Sequence, residues 1–247
     1  MTKVGLTYHS KKQETRALSD FDLSVYEGEF LGIVGPSGAG KTTLLSLLDG
    51  ILTPTNGEIT LDGKKLNTQN IGYMLQRDQL FNWRTIKKNV TLGLELKGKV
   101  DKTSSEYADY LLEKYGLKEF SDRYPSELSG GMRQRVALIR TLVLKPRIIL
   151  LDEPFSALDF QTRLSVGEDV RRIIKEEGVT AILVTHDISE AISLCDRVAV
   201  LTSRPAKVKS IHDTSLSGGT SLEKREDENF PSVFSLLWKE LTYEDQR

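Results

Sequence analysis

The chain has 247 residues, enough for one elaborated domain with a sizeable hydrophobic core. Hydrophobic residues make up 38% and charged residues 28% of it, which is typical of a globular protein rather than a disordered or membrane-embedded one. The formal net charge of −1 gives no reason to expect nucleic acid as the main partner. A single cysteine excludes an internal disulfide and fits a reducing compartment.

Short apolar segments alternate with helical patterns, which predicts an α/β core. Phe30–Val34 is predicted to be a buried strand that leads into a glycine-rich loop, and Lys41–Leu48 is the predicted helix after it. The other predicted strands are 58–61, 71–75, 148–151, 180–184 and 197–201, and the predicted helices between them are 104–115 and 132–144. We therefore predict one domain over 1–247, with its core at 1–76 and 145–205 and an inserted helical subdomain at about 77–144.

The C-terminal part, 206–247, has a different composition from the core. Segment 214–229 is rich in Ser, Gly and charge and is predicted to be a mobile loop. Beyond it, the apolar residues Phe234, Leu237, Trp238 and Leu241 recur at helical spacing, which predicts a helix docked on its own domain; the alternative is a partner site. The N-terminus lacks the apolar core of a signal peptide, and no apolar run is long enough to cross a bilayer.

A phosphate-binding loop follows the predicted strand at 30–34. Its spacing is G-x-x-x-x-G-K-[ST], and it opens a predicted helix, which is the context that this motif requires. We expect Lys41 to reach the β- and γ-phosphates of ATP and the Thr42 hydroxyl to bind Mg²⁺. The predicted ATP-binding residues of the loop are Gly35, Pro36, Ser37, Gly38, Ala39, Gly40, Lys41, Thr42 and Thr43.

Polar side chains end three of the other predicted strands. Asp152 and Glu153 follow the strand at 148–151, where Asp152 is suited to hold Mg²⁺ and Glu153 to accept a proton from an attacking water. Gln76 follows the strand at 71–75, where its amide would reach both the metal and the water; the alternative is an ordinary surface glutamine. His186 follows the strand at 180–184 and is placed to contact the γ-phosphate.

Two further elements accompany these residues. Asp187 and Glu190 have the spacing of a capping box and are predicted to start a helix rather than to take part in chemistry. Ser129, Gly130 and Gly131 allow close approach of a ligand to the backbone at a helix N-terminus, although Ser129 also suits a simple N-cap. Because this loop lies far along the chain from the phosphate loop, we predict a head-to-tail dimer in which it meets the other chain's ATP.

Together these motifs resemble the nucleotide-binding subunit of ATP-binding cassette (ABC) transporters over nearly the whole chain. The matching segments are the phosphate loop, Gln76, LSGGMRQR at 128–135, ILLDEP at 149–154, the segment 156–159 and His186. The resemblance implies a P-loop NTPase (RecA-like) fold with a mixed sheet, ATP and Mg²⁺ as cofactors, and ATP hydrolysis coupled to transport. It also implies that Tyr8 stacks on adenine, for which the alternative is a strand aromatic in the core.

A finer resemblance points to the nitrate, sulfonate and taurine importer branch, which includes ATPases for thiamine-precursor-like ligands. It is carried by LFNWRT at 80–85 with Asn89-Val90, by the methionine in LSGGMRQR, and by Phe230-Pro231 with LWKEL at 237–241. The sequence departs from this pattern at Asn82, where proline is common. The resemblance implies a peripheral place on the cytoplasmic face of the membrane.

The same resemblance implies three partners and no nucleic acid. They are a second ATPase subunit, an integral membrane permease that docks near Trp83, and an extracellular or periplasmic substrate-binding protein. Two rival functions stay open from the sequence. One is a soluble cassette ATPase that acts on nucleic acid or ribosomes, and the other is a metabolic kinase, which gives no reason for the Ser-Gly-Gly element. We predict the importer ATPase.

Overall fold

A mixed β-sheet with helices on both faces forms the centre of the molecule. The computed structural model describes residues 1–9 and 13–242. The strands are, in chain order, β1 (Thr2–His9), β2 (Glu14–Phe21), β3 (Phe30–Val34), β4 (Asn56–Glu58), β5 (Thr60–Leu61), β6 (Lys64–Lys65), β7 (Ile71–Met74), β8 (Ile148–Asp152), β9 (Thr180–Val184), β10 (Arg197–Leu201) and β11 (Val208–Asp213). The α-helices are α1 (Lys41–Leu48), α2 (Ile86–Leu96), α3 (Lys102–Lys114), α4 (Gly130–Leu142), α5 (Phe160–Glu176), α6 (Ile188–Leu194), α7 (Ser221–Glu226) and α8 (Phe230–Thr242).

The main sheet has the strand order β11-β10-β3-β9-β8-β7. All neighbouring pairs are parallel except β10 and β11, which are antiparallel. Parallel strands of this kind are apolar on both sides because helices cover both faces. In β3, Phe30 and Val34 point into one hydrophobic cluster, whereas Leu31 and Ile33 point into the other. The sheet therefore separates two packed cores, and the carboxyl ends of its parallel strands meet at one edge.

A smaller antiparallel sheet of order β2-β1-β4 covers α1 on one side of the main sheet. The sequence predicts one strand at 58–61, and this is wrong. The chain instead breaks after Glu58, so that β4 joins β1 while β5 pairs with β6 in a separate hairpin. The other predicted strands and helices are present, with boundaries that differ by one or two residues.

The helices α2, α3 and α4 lie between β7 and β8 in the sequence, although these two strands are neighbours in the sheet. Apolar residues of the three helices, such as Val90, Leu111 and Ile139, belong to the same buried cluster as Phe30 and Val34 of β3. The helical insertion is thus packed continuously onto the sheet. The residue boundaries of the core and the insertion stay a prediction.

The C-terminal part contains more regular structure than the sequence predicts. The prediction of a mobile loop over 214–229 is wrong for the central part of this segment. There α7 forms, with a capping box between Thr220 and Glu223. The Lys224 side chain of α7 is buried and donates to the Cys195 carbonyl at 3.1 Å. As predicted, α8 docks on its own domain, with Leu237 fully buried. The end of the predicted C-terminal part, 243–247, lies outside the described residues.

None of the described helices is long and apolar enough to cross a membrane.

Candidate functional site

The phosphate loop connects β3 to α1 at the carboxyl edge of the main sheet. Gly38 and Gly40 adopt positive φ angles of 76° and 99°, a conformation that glycine takes without a steric penalty from Cβ. Gly40 directly precedes α1, so the positive end of that helix faces the loop. The loop and helix start therefore form the anion-binding geometry that the sequence predicts.

Lys41 is the first residue of α1, and its side chain folds back into this loop. Its Nζ donates to the carbonyl oxygens of Gly35 and Pro36 at 2.7 and 3.0 Å. Burial lowers the pKa of Lys41, whereas the nearby carboxylates of Glu153 and Asp152 oppose that shift. The ammonium group thus lies inside the loop, with the two carboxylates as its charged neighbours.

Asp152 ends β8 and lies across from β7 in the sheet. The Tyr73 hydroxyl donates to Asp152 Oδ2 at 3.0 Å, which fixes one carboxylate oxygen. Burial raises the pKa of Asp152, and the charge of Glu153 adds to this, while the bond from Tyr73 and the charge of Lys41 act against it. No local sequence signal marks Tyr73, because its contact depends on the pairing of two strands that are distant in the sequence.

Glu153 follows Asp152 in a strained backbone conformation, with a φ of 45°. Three hydrogen bonds hold this conformation. The Glu153 N–H donates to the Val184 carbonyl at 2.9 Å, and the Glu153 carbonyl accepts from the Ser156 hydroxyl at 3.0 Å and from the Ser156 N–H at 3.2 Å. The Glu153 carboxylate lies 3.2 Å from Nδ1 of His186. The ends of β8 and β9 therefore bring together the predicted general base and the predicted γ-phosphate contact.

Gln76 lies just after β7 and reaches the same group of residues. Its Nε2 donates to the Ser156 hydroxyl at 3.1 Å, and that hydroxyl in turn contacts the Glu153 backbone. The amide oxygen is consequently the atom that Gln76 can offer to a cation. Gln76 is exposed and lies beside Ser156, while its contact with a metal and an attacking water stays a prediction.

Tyr8 lies on β1 and is 43% exposed, so it is not a core aromatic. Its hydroxyl is hydrogen-bonded to Thr43 Oγ1 at 3.1 Å, next to the phosphate loop. The ring is therefore close to any nucleotide held by that loop, while stacking on adenine stays a prediction.

Ser129, Gly130 and Gly131 lie apart from these residues. They line a groove of about 560 Å³ together with Leu158, Asp159 and Thr162, and no phosphate-loop residue borders it. Ser129 caps α4, since its Oγ accepts from the Met132 N–H at 3.3 Å. No hydrogen bond among the described residues joins this loop to the phosphate loop.

Gly131 also has a packing role that the sequence does not reveal. A Cβ atom at this position would lie 2.7 Å from a methyl group of Val166 on α5. The close approach of α4 to α5 therefore requires glycine, independently of any ligand.

The helix that follows His186 begins as predicted, but its predicted capping box is incomplete. Asp187 caps α6 by accepting from the Glu190 N–H at 3.1 Å. Glu190 does not complete a capping box, because its carboxylate turns inward and accepts from the Thr185 hydroxyl. The spacing of Asp187 and Glu190 is the same whether Glu190 completes a capping box or turns inward. The sequence therefore could not distinguish these two conformations.

The donor set at the site fits Mg²⁺. The Thr42 hydroxyl, the Gln76 amide oxygen and the Asp152 carboxylate are all hard oxygen ligands. Three protein oxygens would leave room for water and substrate phosphates, which is how this ion is usually held. A phosphate loop after β3, with paired carboxylates at the end of β8 in the same sheet, defines a P-loop nucleotide hydrolase.

Comparisons with known proteins identify the branch of this class. A family model described as ABC transporter matches residues 18–156. The uncharacterized ABC transporter ATP-binding protein YtlC of Bacillus subtilis (strain 168) is 44% identical over 96% of this chain and 93% of that protein. The nitrate import ATP-binding protein NrtD of Synechocystis sp. is 39% identical over 91% and 85%, and the taurine import ATP-binding protein TauB of Jannaschia sp. is 42% identical over 78% and 73%.

A solved structure gives the same result. The dimeric, post-hydrolysis structure of the ATP-binding cassette MJ0796, bound to ADP and Pi, is similar with a TM-score of 0.71 and 32% identity, covering 88% of this chain and 98% of that one. The chain belongs to the ABC transporter family, where it is an ATP-binding subunit that hydrolyses ATP. The predicted fold class, the family resemblance and the enzyme class are thereby confirmed.

Proposed function

We propose that the chain powers an importer for a small solute of the nitrate, sulfonate or taurine type, from the cytoplasmic face of the membrane. The observation that carries the ATP-hydrolysis part of this proposal is the contact between Glu153 and His186 at the sheet edge that also holds the phosphate loop. The import proteins among its relatives support the ligand class. The thiamine-precursor-like ligands of the same branch are the second class to test.

The chain's own residues account for the chemistry of hydrolysis. The loop amides, the start of α1 and the Lys41 ammonium bind the triphosphate. The Glu153 carboxylate accepts the proton of the attacking water, and His186, whose Nδ1 lies 3.2 Å from that carboxylate, contacts the γ-phosphate. Bound Mg²⁺, held by Thr42, Asp152 and Gln76, would neutralise charge on the phosphate oxygens.

A second copy of the chain completes the site. The groove at Ser129, Gly130 and Gly131 has the positive end of α4 at one side, and the phosphate loop does not border it. In a two-fold dimer each such loop would meet the ATP held by the other copy. Closure of the interface would then depend on ATP, which links hydrolysis to movement.

The permease docks on the segment that follows Gln76. Trp83 is 74% exposed and contacts Phe81 with a ring separation of 4.8 Å, so the two rings form an exposed aromatic patch. The buried Asn89 side chain bonds the backbone on both sides of this patch, accepting from the Phe81 N–H at 2.7 Å and donating to the Arg84 carbonyl at 2.9 Å. A rigid aromatic patch is well suited to anchor another protein chain.

This segment is also tied to the helix that carries the Ser129 loop. The Arg140 guanidinium on α4 donates to the backbone carbonyls of Asp78 and Gln79, both at 2.7 Å. Arg133, near the start of α4, donates to the Asp78 carboxylate at 3.0 Å. Together these bonds form an arginine clamp between the docking segment and α4.

The test uses the purified chain together with the permease encoded beside it, reconstituted in vesicles with the cognate substrate-binding protein. We expect ATPase activity to rise when permease and loaded binding protein are present. Trp83→Ala should lose most of that stimulation, whereas Trp238→Ala, which removes another exposed tryptophan, should keep it. Nucleotide binding by both variants serves as the folding control.

Two results would contradict the proposal. Equal stimulation of the Trp83→Ala and Trp238→Ala proteins would exclude docking at the aromatic patch. Stimulation by DNA, RNA or ribosomes, with none by the permease, would favour the soluble cassette ATPase instead. The ligand class is measured separately, by binding of nitrate, taurine, alkanesulfonates and a thiamine precursor to the substrate-binding protein.

A further inference from the structure

Glu190, four residues after His186, has a buried carboxylate. Glu190 on α6 is only 6% exposed, and burying a carboxylate costs free energy unless it is hydrogen-bonded. The bond it receives comes from the hydroxyl of Thr185, the residue that precedes His186. The proposed hydrolysis chemistry does not use Glu190.

Helix capping does not explain this arrangement. Asp187 already caps α6 by accepting from the Glu190 N–H, and it also lies 3.5 Å from the guanidinium of Arg163. The Glu190 side chain turns away from the helix start and into the interior. Its position therefore serves another purpose.

The Thr185 hydroxyl joins the two sides of His186. It accepts from the Asp187 N–H at 3.1 Å and donates to the Glu190 carboxylate. Because one lone pair is used by the Asp187 amide, the hydroxyl proton is left for Glu190. The Thr185 N–H also bonds the Ile33 carbonyl on β3 at 3.2 Å, so the backbone before and after His186 is fixed.

The imidazole itself has little other support. The His186 side chain is 62% exposed, and among the described residues its polar contact is the Glu153 carboxylate, 3.2 Å from Nδ1. An exposed side chain with one polar contact depends on its backbone for orientation. We propose that Glu190, acting through Thr185, is a positioning residue that holds His186 beside Glu153 for ATP hydrolysis.

The test compares variants that keep or remove the link between Thr185 and Glu190. Thr185→Val keeps the shape of the side chain but removes the hydroxyl, whereas Thr185→Ser keeps the hydroxyl. Glu190→Leu removes the acceptor, which a glutamine would retain in its amide oxygen. We expect Thr185→Val and Glu190→Leu to lower kcat by about tenfold or more with KM for ATP nearly unchanged, because ATP binds mainly at the phosphate loop. Thr185→Ser should stay within about twofold of the wild-type kcat. Thermal unfolding of each variant checks the fold, and if Thr185→Val does not fold, Glu190→Leu and Thr185→Ser decide the question.

The inference rests on the proposed role of His186, so His186→Ala is measured beside these variants. Wild-type turnover by His186→Ala would overturn that role. An impaired His186→Ala protein together with normal Thr185→Val and Glu190→Leu proteins would overturn only the positioning inference. In single-turnover assays, Thr185→Val should add no further loss to His186→Ala; an equal loss in both backgrounds would mean that Thr185 acts independently of His186, which would also overturn it.

Discussion

Glu190 should make the stability of the protein depend on pH in a way that a glutamine at the same position does not. Burial raises the pKa of this carboxyl from 4.5 to about 7, while the hydrogen bond from Thr185 acts against the shift. A shift of about 2.5 pKa units corresponds to about 3 kcal/mol in the free energy of unfolding. The perturbation is Glu190→Gln, which keeps the size of the side chain and removes its titration.

The direction follows from which state holds the proton more tightly. With a raised pKa, the folded protein binds the proton of Glu190 better than the unfolded chain does. This contribution to stability is fully present below about pH 4.5 and is lost as the pH rises through about 7. Between these two pH values, the titration of Glu190 should therefore lower the free energy of unfolding of the wild-type protein by about 3 kcal/mol. The Glu190→Gln protein should not show this decrease.

The assay is urea unfolding of both proteins at several pH values between 5 and 8. The free energy of unfolding of Glu190→Gln, minus that of the wild type, should increase as the pH rises to about 7 and level off above it. The matched control is Glu177→Gln. Burial opposes ionisation of Glu177, but hydrogen bonds from Lys114 and Tyr115 lower its pKa overall, so its effect should be constant across this range. If the free energies of unfolding of the wild type and of Glu190→Gln changed with pH in parallel, the reasoning would be refuted.

Three further outcomes are expected. Glu153→Gln should bind ATP but hydrolyse it at least about a hundredfold more slowly and accumulate as a dimer in size-exclusion chromatography with ATP; undiminished turnover would contradict the general-base role. Ser129→Arg should abolish hydrolysis while the monomer still binds nucleotide, with Ser129→Ala as the control for the lost helix cap, which costs about 1 kcal/mol. Normal turnover by Ser129→Arg would exclude a shared site. Gly131→Ala should lower the free energy of unfolding by about 1–3 kcal/mol through overlap with Val166, and Val166→Ala should restore much of that loss in the double variant; an unchanged Gly131→Ala melting curve would contradict the packing argument.

The parts of the fold that depend on local pattern could be predicted from the sequence. The strand Phe30–Val34, the phosphate loop and Lys41–Leu48 form a contiguous unit whose signals lie within it. The order of the strands could not be predicted, because β3 pairs with β9 and β10 through contacts between distant segments. The helix α7 was missed although Thr220 and Glu223 have capping-box spacing, since the flanking Ser and Gly dominate the composition there.

The candidate site divides in the same way. Lys41, Asp152 and Glu153 belong to motifs whose spacing is short, and the structure brings them to one edge of the sheet. The contacts of Tyr73 and Glu190 depend on which strands and helices are adjacent, so spacing alone could not reveal them. For Glu190 the local pattern even favoured the wrong partner, because Asp187 and Glu190 have the spacing of a capping box, whereas the Glu190 carboxylate accepts from the Thr185 hydroxyl.

The arginine clamp determines which of the two bound ATP molecules a movement of the permease would affect. Arg140 and Arg133 fasten the docking segment to α4, and the N-terminus of α4 holds the loop at Ser129. That loop does not serve the chain's own phosphates in the proposed dimer. A permease that moves the docking segment of one copy would therefore displace the loop that contacts the ATP of the other copy. Each docking segment would then be coupled to the nucleotide bound by the opposite subunit.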